Sequence, residues 1–537
     1  MNDVDRKIIE ACERRIKDIM KISDSDESPF FASIRFMNLS MDTIIAENGS
    51  IERVDKDEMK NFGEVVIRVG DYDKGCGTGN GLVSIPQDSD PFSLEKHIHE
   101  IETITFNEAR KDYLDNMSKS IGNDKEHMEI KYFSKEEPVN YIENEPEDKF
   151  NIKKWEDILR EVSESFIKDD VVNPSVNLVR KNYKRYLINS EGTRIIDYSK
   201  IFSLYLFAYI EDKGILLESY KSFNEMEEKN LPNKEKLKEH TKKIIEQLYK
   251  IKNAPQQKSG LFPAVIDGRN HGIVWHEAIG HGSEAHRVDD EENTSYKGVV
   301  GKSLTLRDKI GDKITADFIS VYDDPTDENL NGHYKYDAEG VPGQKVVIVK
   351  NGIFKNFLHS RETAGKLSNK LKEKIKSNGH ARTYSNEDPL PRMSNTKVET
   401  EDKHTIEELY EMVIKECRKK GLDYGIVLKE AIEGYVNTDE SYFHTVPKNV
   451  FRLYTNGRME LVKGVSLVDT PLQIINKIGA TTDNYKIFRG HCDAESGLIP
   501  ATETAPDAFV QSINIEAISR DNYQKFPKPL TKPPKRR

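Results

Sequence analysis

Two imidazoles and a carboxylate crowd into one short stretch, Val274-Trp275-His276-Glu277-Ala278-Ile279-Gly280-His281-Gly282-Ser283-Glu284. Neutral imidazole is a good ligand for zinc. A carboxylate beside the first ligand can take a proton from water that a metal activates. In the familiar metallopeptidase helix, H-E-x-x-H, the histidines sit at i and i+4, about 40° apart around a helix of 3.6 residues per turn. Here they sit at i and i+5, which on an ideal helix is about 140° apart. A π-bulge returns i+5 to the same face, and Gly280 and Gly282 permit such a backbone. Two ligands do not complete a site, because catalytic zinc usually takes three. Candidates for the third are Glu284, His286, His333, His380, His444, His491 and Cys492. Cys492 falls in Arg489-Gly490-His491-Cys492-Asp493, which reads as a glycine-marked loop. A thiolate there would suit zinc; a small buried hydrophobe is the other use of a lone cysteine.

Something must hold these groups in place. Apolar residues at helical spacing predict helices over 7–21, 92–116, 154–168 and 233–253. A further helix over 405–420 opens with a Thr405–Glu408 capping box and stops at Gly421. Strands are predicted at 31–36, 42–46, 65–69, 186–188 and 202–210, with a hairpin signal at Glu47-Asn48-Gly49-Ser50. Val346–Val349 turns at Lys350-Asn351-Gly352 into Ile353-Phe354. The strand-and-turn pattern near 31–49 recurs weakly near 186–210, which suggests two related halves or one sheet built by duplication. The expected architecture is α+β in two domains: an N-terminal α/β domain with a mixed sheet over 1–255 and a strand-rich domain carrying the metal site over 256–524. An exposed, charged insertion is expected near 123–150. The tail over 525–537 is basic and proline-rich, which reads as solvated chain.

Two phosphate-binding motifs fail. Gly75-Cys76-Gly77-Thr78-Gly79-Asn80-Gly81 follows a strand, but the sixth place of a dinucleotide fingerprint is Asn80 or Leu82. A flexible turn is the expected reading. Gly301-Lys302-Ser303 has Tyr296 where a P-loop needs glycine.

Composition narrows the class. The 537 residues carry a net charge of -11, which argues against a nucleic-acid coat or general anchoring on anionic lipid. The longest apolar stretch, about Ile201 to Ile210, is half of what a spanning helix needs. The four cysteines are far apart and form no C-x-x-C pair, so a disulfide scaffold or zinc ribbon is excluded. Reduced thiols and a charged N-terminus point to a cytoplasmic protein.

The segment His276-Glu277-Ala278-Ile279-Gly280-His281-Gly282-Ser283-Glu284 resembles the H-E-A-x-G-H-G-x-E stretch of the TldD/PmbA family of metallopeptidases. The likeness continues through Tyr336-Asp337-Ala338-Glu339-Gly340-Val341-Pro342-Gly343-Gln344, Lys350-Asn351-Gly352 and Arg361-Glu362-Thr363-Ala364. It extends to Pro389-Leu390-Pro391-Arg392-Met393-Ser394-Asn395-Thr396, and so covers most of 260–500. The resemblance implies one zinc ion per chain held by His276, His281 and Cys492, with Glu277 as general base in the hydrolysis of short or unfolded peptides. It also implies a homodimer, or a heterodimer with a PmbA/TldE-like sister subunit. The intact motif matches the catalytic, TldD-like member; the alternative is a non-catalytic, peptide-binding partner subunit of such a complex. Glu284 is a candidate to orient a ligand histidine, an exposed carboxylate at the helix end being the other reading. Arg392 and Asn395 are candidates for polar contacts to a peptide. Departures fall at Cys492-Asp493-Ala494, where the family often has Cys-Gly-Lys, and at Pro500-Ala501-Thr502-Glu503-Thr504, which replaces glycine-rich sequence.

Overall fold

The computed structural model describes residues 2–22, 27–73, 75–83, 91–121, 132–168, 170–288, 306, 309–371, 374–385, 387–437 and 442–518. The Gly301–Ser303 segment and the 525–537 tail lie outside the described residues. The fold is α+β, with one large sheet in each half of the chain.

The N-terminal sheet is a set of long hairpins. Strands β1 (Pro29–Glu47) and β2 (Ser50–Asp71) join through Asn48 and Gly49, whose φ values of 49° and 78° make the two-residue turn that matches strand twist. β3 (Gly75–Leu82) follows, and β4 (Asn140–Ile142) comes after a long helix. β5 (Val171–Asn189), β6 (Arg194–Asp212) and β7 (Ile215–Glu225) complete the order β3-β2-β1-β5-β6-β4, with β7 on β6. The two sequence echoes, β1–β2 and β5–β6, thus lie in one sheet, with β1 paired to β5.

Four helices cover one face of this sheet. α1 (Asp3–Ile19) and α2 (Pro91–Ile121) bury Ile8, Cys12, Ile16, Leu94 and Ile98 against Ile34, Phe36, Val65 and Ile67. α3 (Ile152–Glu164) and α4 (Lys234–Asn253) bury Trp155, Leu159, Leu237 and Ile244 over the other end of the same strands, against Ile44, Leu178 and Leu204. The opposite face meets the C-terminal half, where Met37, Leu39 and Tyr183 pack near Tyr384.

One expectation fails here and another holds in part. The glycine run is strand β3 rather than a flexible turn, paired with β2 from Gly75 to Leu82. Its glycines serve packing: a Cβ on Gly77 or Gly79 would collide with the α2 backbone at Ala109, Tyr113 and Thr105. The segment expected as an exposed insertion is anchored at two places among its described residues, while Lys135, Glu137, Pro138 and Asn140 are exposed. Tyr132, Phe133 and Ser134 are buried, and Asn140–Ile142 pairs in parallel with β6. Glu143–Phe150 then runs mostly exposed.

The C-terminal sheet comprises β8 (Gly260–Ile266), β9 (Ile319–Asp323), β10 (Val346–Lys350) and β11 (Ile353–Phe354). A separate two-stranded ladder joins β12 (Ala381–Arg382) to β13 (Leu390–Pro391). The main sheet continues with β14 (Asn395–Thr400), β15 (Tyr424–Asn437), β16 (Tyr442–Tyr454), β17 (Met459–Val462) and β18 (Val465–Asp469). It ends with β19 (Ile478–Ala494) and β20 (Gly497–Ala517). β8 pairs with both β15 and β20, so the ladder β20-β18-β16-β15-β8 closes on itself. Helix α5 (Gly268–Trp275) leaves β8 directly and packs on β20. Its N-cap, Asp267, accepts the Asn270 N–H and leaves a second oxygen for the Glu430 N–H of β15. The start of the motif helix is therefore fastened to the closed ladder. The helix α6 (Arg361–Leu371) follows, and α7 (Ile406–Lys420) carries the expected Thr405–Glu408 box and ends at Gly421 in the left-handed conformation.

Candidate metal centre

The motif helix changes pitch at the histidines. α5 ends at Trp275, a π-turn runs from His276 to Gly280, and a 3₁₀ turn from His281 to Ser283 follows. The His281 N–H reaches the His276 carbonyl, five residues back. This wider turn brings both rings to one side, with centroids 5.0 Å apart. Gly280 itself has an ordinary helical φ of -54°. A Cβ there would meet the Met393 sulfur, so glycine leaves that buried side chain its place.

The third donor arrives on a strand. Cys492 belongs to β19, paired with Ile499 of β20, so the expected loop is a β-hairpin arm. Its Sγ lies 3.2 Å from His276 Nε2 and 3.4 Å from His281 Nε2. All three donor atoms fall within 4.8 Å of one another, and all three residues are buried. Tetrahedral ligation at ~2.0–2.3 Å requires N···S separations of about 3.5 Å. The donor set therefore fits a single metal ion, and imidazole with thiolate suits zinc. Among the other sequence candidates, His286, His333, His380 and His491 are not in this cluster. His380 is committed to Asp323 at 3.1 Å, and His333 to the Pro325 carbonyl. The His444 side chain lies outside the described residues.

Each histidine is held from behind by a carboxylate. His281 Nδ1 meets Glu284 Oε2 at 3.0 Å, and His276 Nδ1 meets Glu503 Oε1 at 2.7 Å. With a proton on each Nδ1, both Nε2 lone pairs face the sulfur. Glu284 is in turn gripped by Arg287 Nε at 3.0 Å. Glu503 was missed by sequence reasoning. It sits on β20, in sequence noted only as a departure from glycine-rich chain, and nothing local marks it as a partner of a histidine 227 positions earlier.

The electrostatics favour ligation. Burial acts to raise the Cys492 thiol, but His281 and His276 outweigh it and hold its pKa well below the ordinary value. Burial acts to lower His281, but Glu284 and Cys492 carry it up to about 9. His276 is raised likewise, against burial, by Cys492 and Glu503. The thiol is thus held as thiolate, the form that binds metal. Uptake of a cation must displace protons from the rings. Glu277 is buried beside the cluster, its Oε2 4.0 Å from His281 Nε2. Burial raises its pKa, with His276 and His281 pulling the other way.

Arg392 and Asn395, the candidates for contacts to a peptide, are both buried and engaged within the protein. Arg392 is fully buried and donates to the Cys492 sulfur at 3.0 Å, the Cys492 carbonyl and Ser496. It braces the sulfur. Asn395 accepts from the Gly332 N–H and donates to the Asp324 carbonyl, tying a loop to β14. The motif that contains them is a structural support for the cluster.

Comparison with known proteins points the same way. Residues 259–517 match the family description PmbA/TldA metallopeptidase C-terminal domain. A metalloprotease of Methanocaldococcus jannaschii is 32% identical over 253 residues, 47% of this chain and 49% of that protein. A zinc metalloprotease TldD homologue of Saccharolobus solfataricus is 26% identical over 276 residues, 51% of this chain and 55% of that protein. The chain thus spans about half the length of these two relatives. The solved structure of TldE from Thermococcus kodakarensis superposes with a TM-score of 0.63 at 16% identity, covering 94% of this chain and 100% of that one. At that identity the likeness concerns the fold.

Proposed function

The chain belongs to the TldD/PmbA family, and from that premise we propose that it is a zinc-dependent peptidase acting on short or unfolded peptides. The observation that carries this reading is the convergence of His276, His281 and Cys492 beside the buried carboxylate of Glu277. The three donors would hold one zinc ion, which when bound supplies Lewis acidity toward a peptide carbonyl and toward water. Glu503 and Glu284 keep protons on the Nδ1 atoms, so that the Nε2 atoms stay free to ligate. Glu277, its affinity for a proton raised by burial, takes the proton from the attacking water and hands it to the departing amine. Arg392 and the two imidazoles hold Cys492 as a thiolate.

Among the described residues no helix is long and apolar enough to cross a membrane. All four cysteines are free thiols, which suits the cytoplasm as the proposed location. Assembly as a homodimer, or with a TldE-like sister subunit, is part of the same reading.

Glu277→Gln tests it. Removal of a general base lowers kcat by about 10²–10⁴-fold, while metal content by mass spectrometry stays unchanged. A variant that cleaves a fluorogenic peptide as fast as the parent would remove Glu277 from the mechanism.

A further inference from the structure

A second buried charge lies close to the metal cluster and takes no part in the chemistry above. Between the helix-free face of the N-terminal sheet and the C-terminal half is a cavity of about 310 Å³. That is at the small end of ligand sites. Its walls include Met37, Tyr183, Tyr334, Tyr384 and Arg382. Tyr183 and Tyr384 meet edge to face with ring centroids 4.9 Å apart.

Arg382 is the unusual member. It is 3% exposed. One guanidinium nitrogen, Nη1, donates to the Met393 carbonyl, and the other, Nη2, has no hydrogen-bond partner. It forms no ion pair with a carboxylate among the described residues. The acids of the same wall are engaged elsewhere or stand outside. Asp197 pairs with Arg185, Asp337 accepts the N–H groups of Glu339, Val341 and Ala381, and Glu143 accepts that of Tyr198. Glu328 is exposed. The Arg382 guanidinium lies over the Tyr334 ring, 5.0 Å from its centroid, which offsets part of the cost of burying it; an anion on Nη2 would offset the rest. The guanidinium fork matches a carboxylate.

The cavity also adjoins the metal centre. Tyr384 packs against Cys492, Ile499 and Ala501. Met393, whose carbonyl Arg382 holds, occupies the space beside Gly280, immediately before His281. A carboxylate on Arg382 would therefore sit one wall away from the metal cluster.

We propose that this cavity receives the carboxy-terminal residue of a peptide, its α-carboxylate on Arg382 and an apolar or aromatic side chain against the tyrosines. The inference rests on the peptidase reading for the identity of the ligand, and it places the cleaved bond near the carboxyl end of the substrate.

Binding can be read without turnover. The full-length, metal-loaded chain is titrated calorimetrically with N-acetyl-phenylalanine, with its carboxamide, and with N-acetyl-glutamate carboxamide as the side-chain carboxylate control. The free acid should bind about tenfold or more tighter than either amide, as loss of a buried charge-assisted contact requires. Arg382→Gln should erase that preference with metal content unchanged, and Arg382→Lys should restore part of it. Equal affinity of acid and amide for the unaltered chain overturns the proposal and needs no variant to fold. A preference that survives in Arg382→Gln places the acid on the metal and overturns it too. Glutamate carboxamide binding as tightly as the phenylalanine acid overturns the assignment to a chain terminus. None of these outcomes bears on Glu277, so the cavity and the peptidase reading can fail separately.

Discussion

Both halves of the molecule bury charge, and they bury it differently. In the N-terminal sheet, Arg35 meets Glu64 at 2.7 Å and Arg180 meets Asp42 at 2.6 Å, all four nearly inaccessible. Each cation is matched by carboxylate, Arg180 taking a second one from Asp148, and the Arg35–Glu64 and Arg180–Asp42 pairs cross neighbouring strands, β1 to β2 or β5 to β1. In the C-terminal half, two imidazoles share a single sulfur and are backed by Glu503 and Glu284, with Glu277 alongside. Protons there are held by competition rather than by pairing. A paired charge fixes register and then has nothing further to do; a shared one is poised to exchange its protons for a cation. The difference separates structural polarity from chemical polarity without reference to which residue types are involved.

The largest effect that tests the contrast is loss of the shared sulfur. Cys492→Ala should release the metal, from about one ion per chain to almost none, and abolish peptide cleavage by ~10³-fold or more, since the third protein ligand of the site goes with it. The fold should persist, because both histidines keep their carboxylates. Full metal content in this variant would show that the sulfur is a bystander.

The next effect is in the other half. Arg35→Leu strands Glu64 in the sheet, and removing one partner of a buried pair costs about 3–5 kcal/mol. The double variant Arg35→Leu, Glu64→Leu should recover most of that loss. Urea unfolding followed alongside metal analysis checks both, and metal content should stay constant throughout. If Arg35→Leu empties the site, the two regions are coupled and the contrast fails.

Much of the metal centre is legible in the chain because its key feature is local. With His276 and His281 at i and i+5, both rings can reach one metal only if the helix is distorted, as a π-turn distorts it, and the π-turn is there. The capping box at Thr405 and the Asn-Gly turns are legible for the same reason. What stays hidden depends on partners distant in sequence. Glu503 acquires its meaning only when β20 is laid against α5. Arg392 reads as a candidate contact to a peptide until β19 brings Cys492 to it. The β3 glycines suggest flexibility because flexibility is glycine's local property; their use here, letting α2 lie against the strand, is a property of the neighbour. Cys492 reads as loop because Gly490 is beside it, yet the hairpin register is set by thirteen pairings across β19 and β20.

Acid should strike the two halves unequally. His271, fully buried, donates or accepts at both nitrogens, to the Pro506 carbonyl and from Trp275. Burial lowers its pKa to about 4, and His359 is lowered to about 4 by burial and by His380. Both lie in the C-terminal half. An unfolded imidazole titrates near ~6.5. Between that pH and 4 the unfolded chain binds a proton that the folded one refuses, so stability falls as pH falls through this window and is intact above it. Each such histidine contributes at most about 3 kcal/mol to the loss. The two tryptophans report separately, Trp155 from α3 and Trp275 from α5. With Trp155→Phe leaving Trp275, the fluorescence midpoint on acidification should come at higher pH than in the converse variant Trp275→Phe. Coincident midpoints would mean that the halves unfold as one unit.

The smallest effect divides the two supporting carboxylates from each other. Glu503 touches His276 through one oxygen, and its other oxygen has no hydrogen-bond partner. Glu284 serves His281 while also held by Arg287 and lying 3.5 Å from Arg392 Nε. Neutralising a carboxylate behind a metal-binding histidine costs about 10–100-fold in metal affinity, or roughly 1.4–2.7 kcal/mol. Glu503→Gln should show that loss alone: weaker zinc in competition with a chromogenic chelator, and an unchanged melting temperature after metal removal. Glu284→Gln should lose affinity and also melt earlier, because Arg287 and Arg392 are left facing a neutral amide. Glu284 is therefore both kinds of residue at once, a structural partner to two arginines and a tuner of His281. If Glu284→Gln behaves as Glu503→Gln does, the arginines find other acceptors, and the line between paired and shared charge runs outside this residue rather than through it.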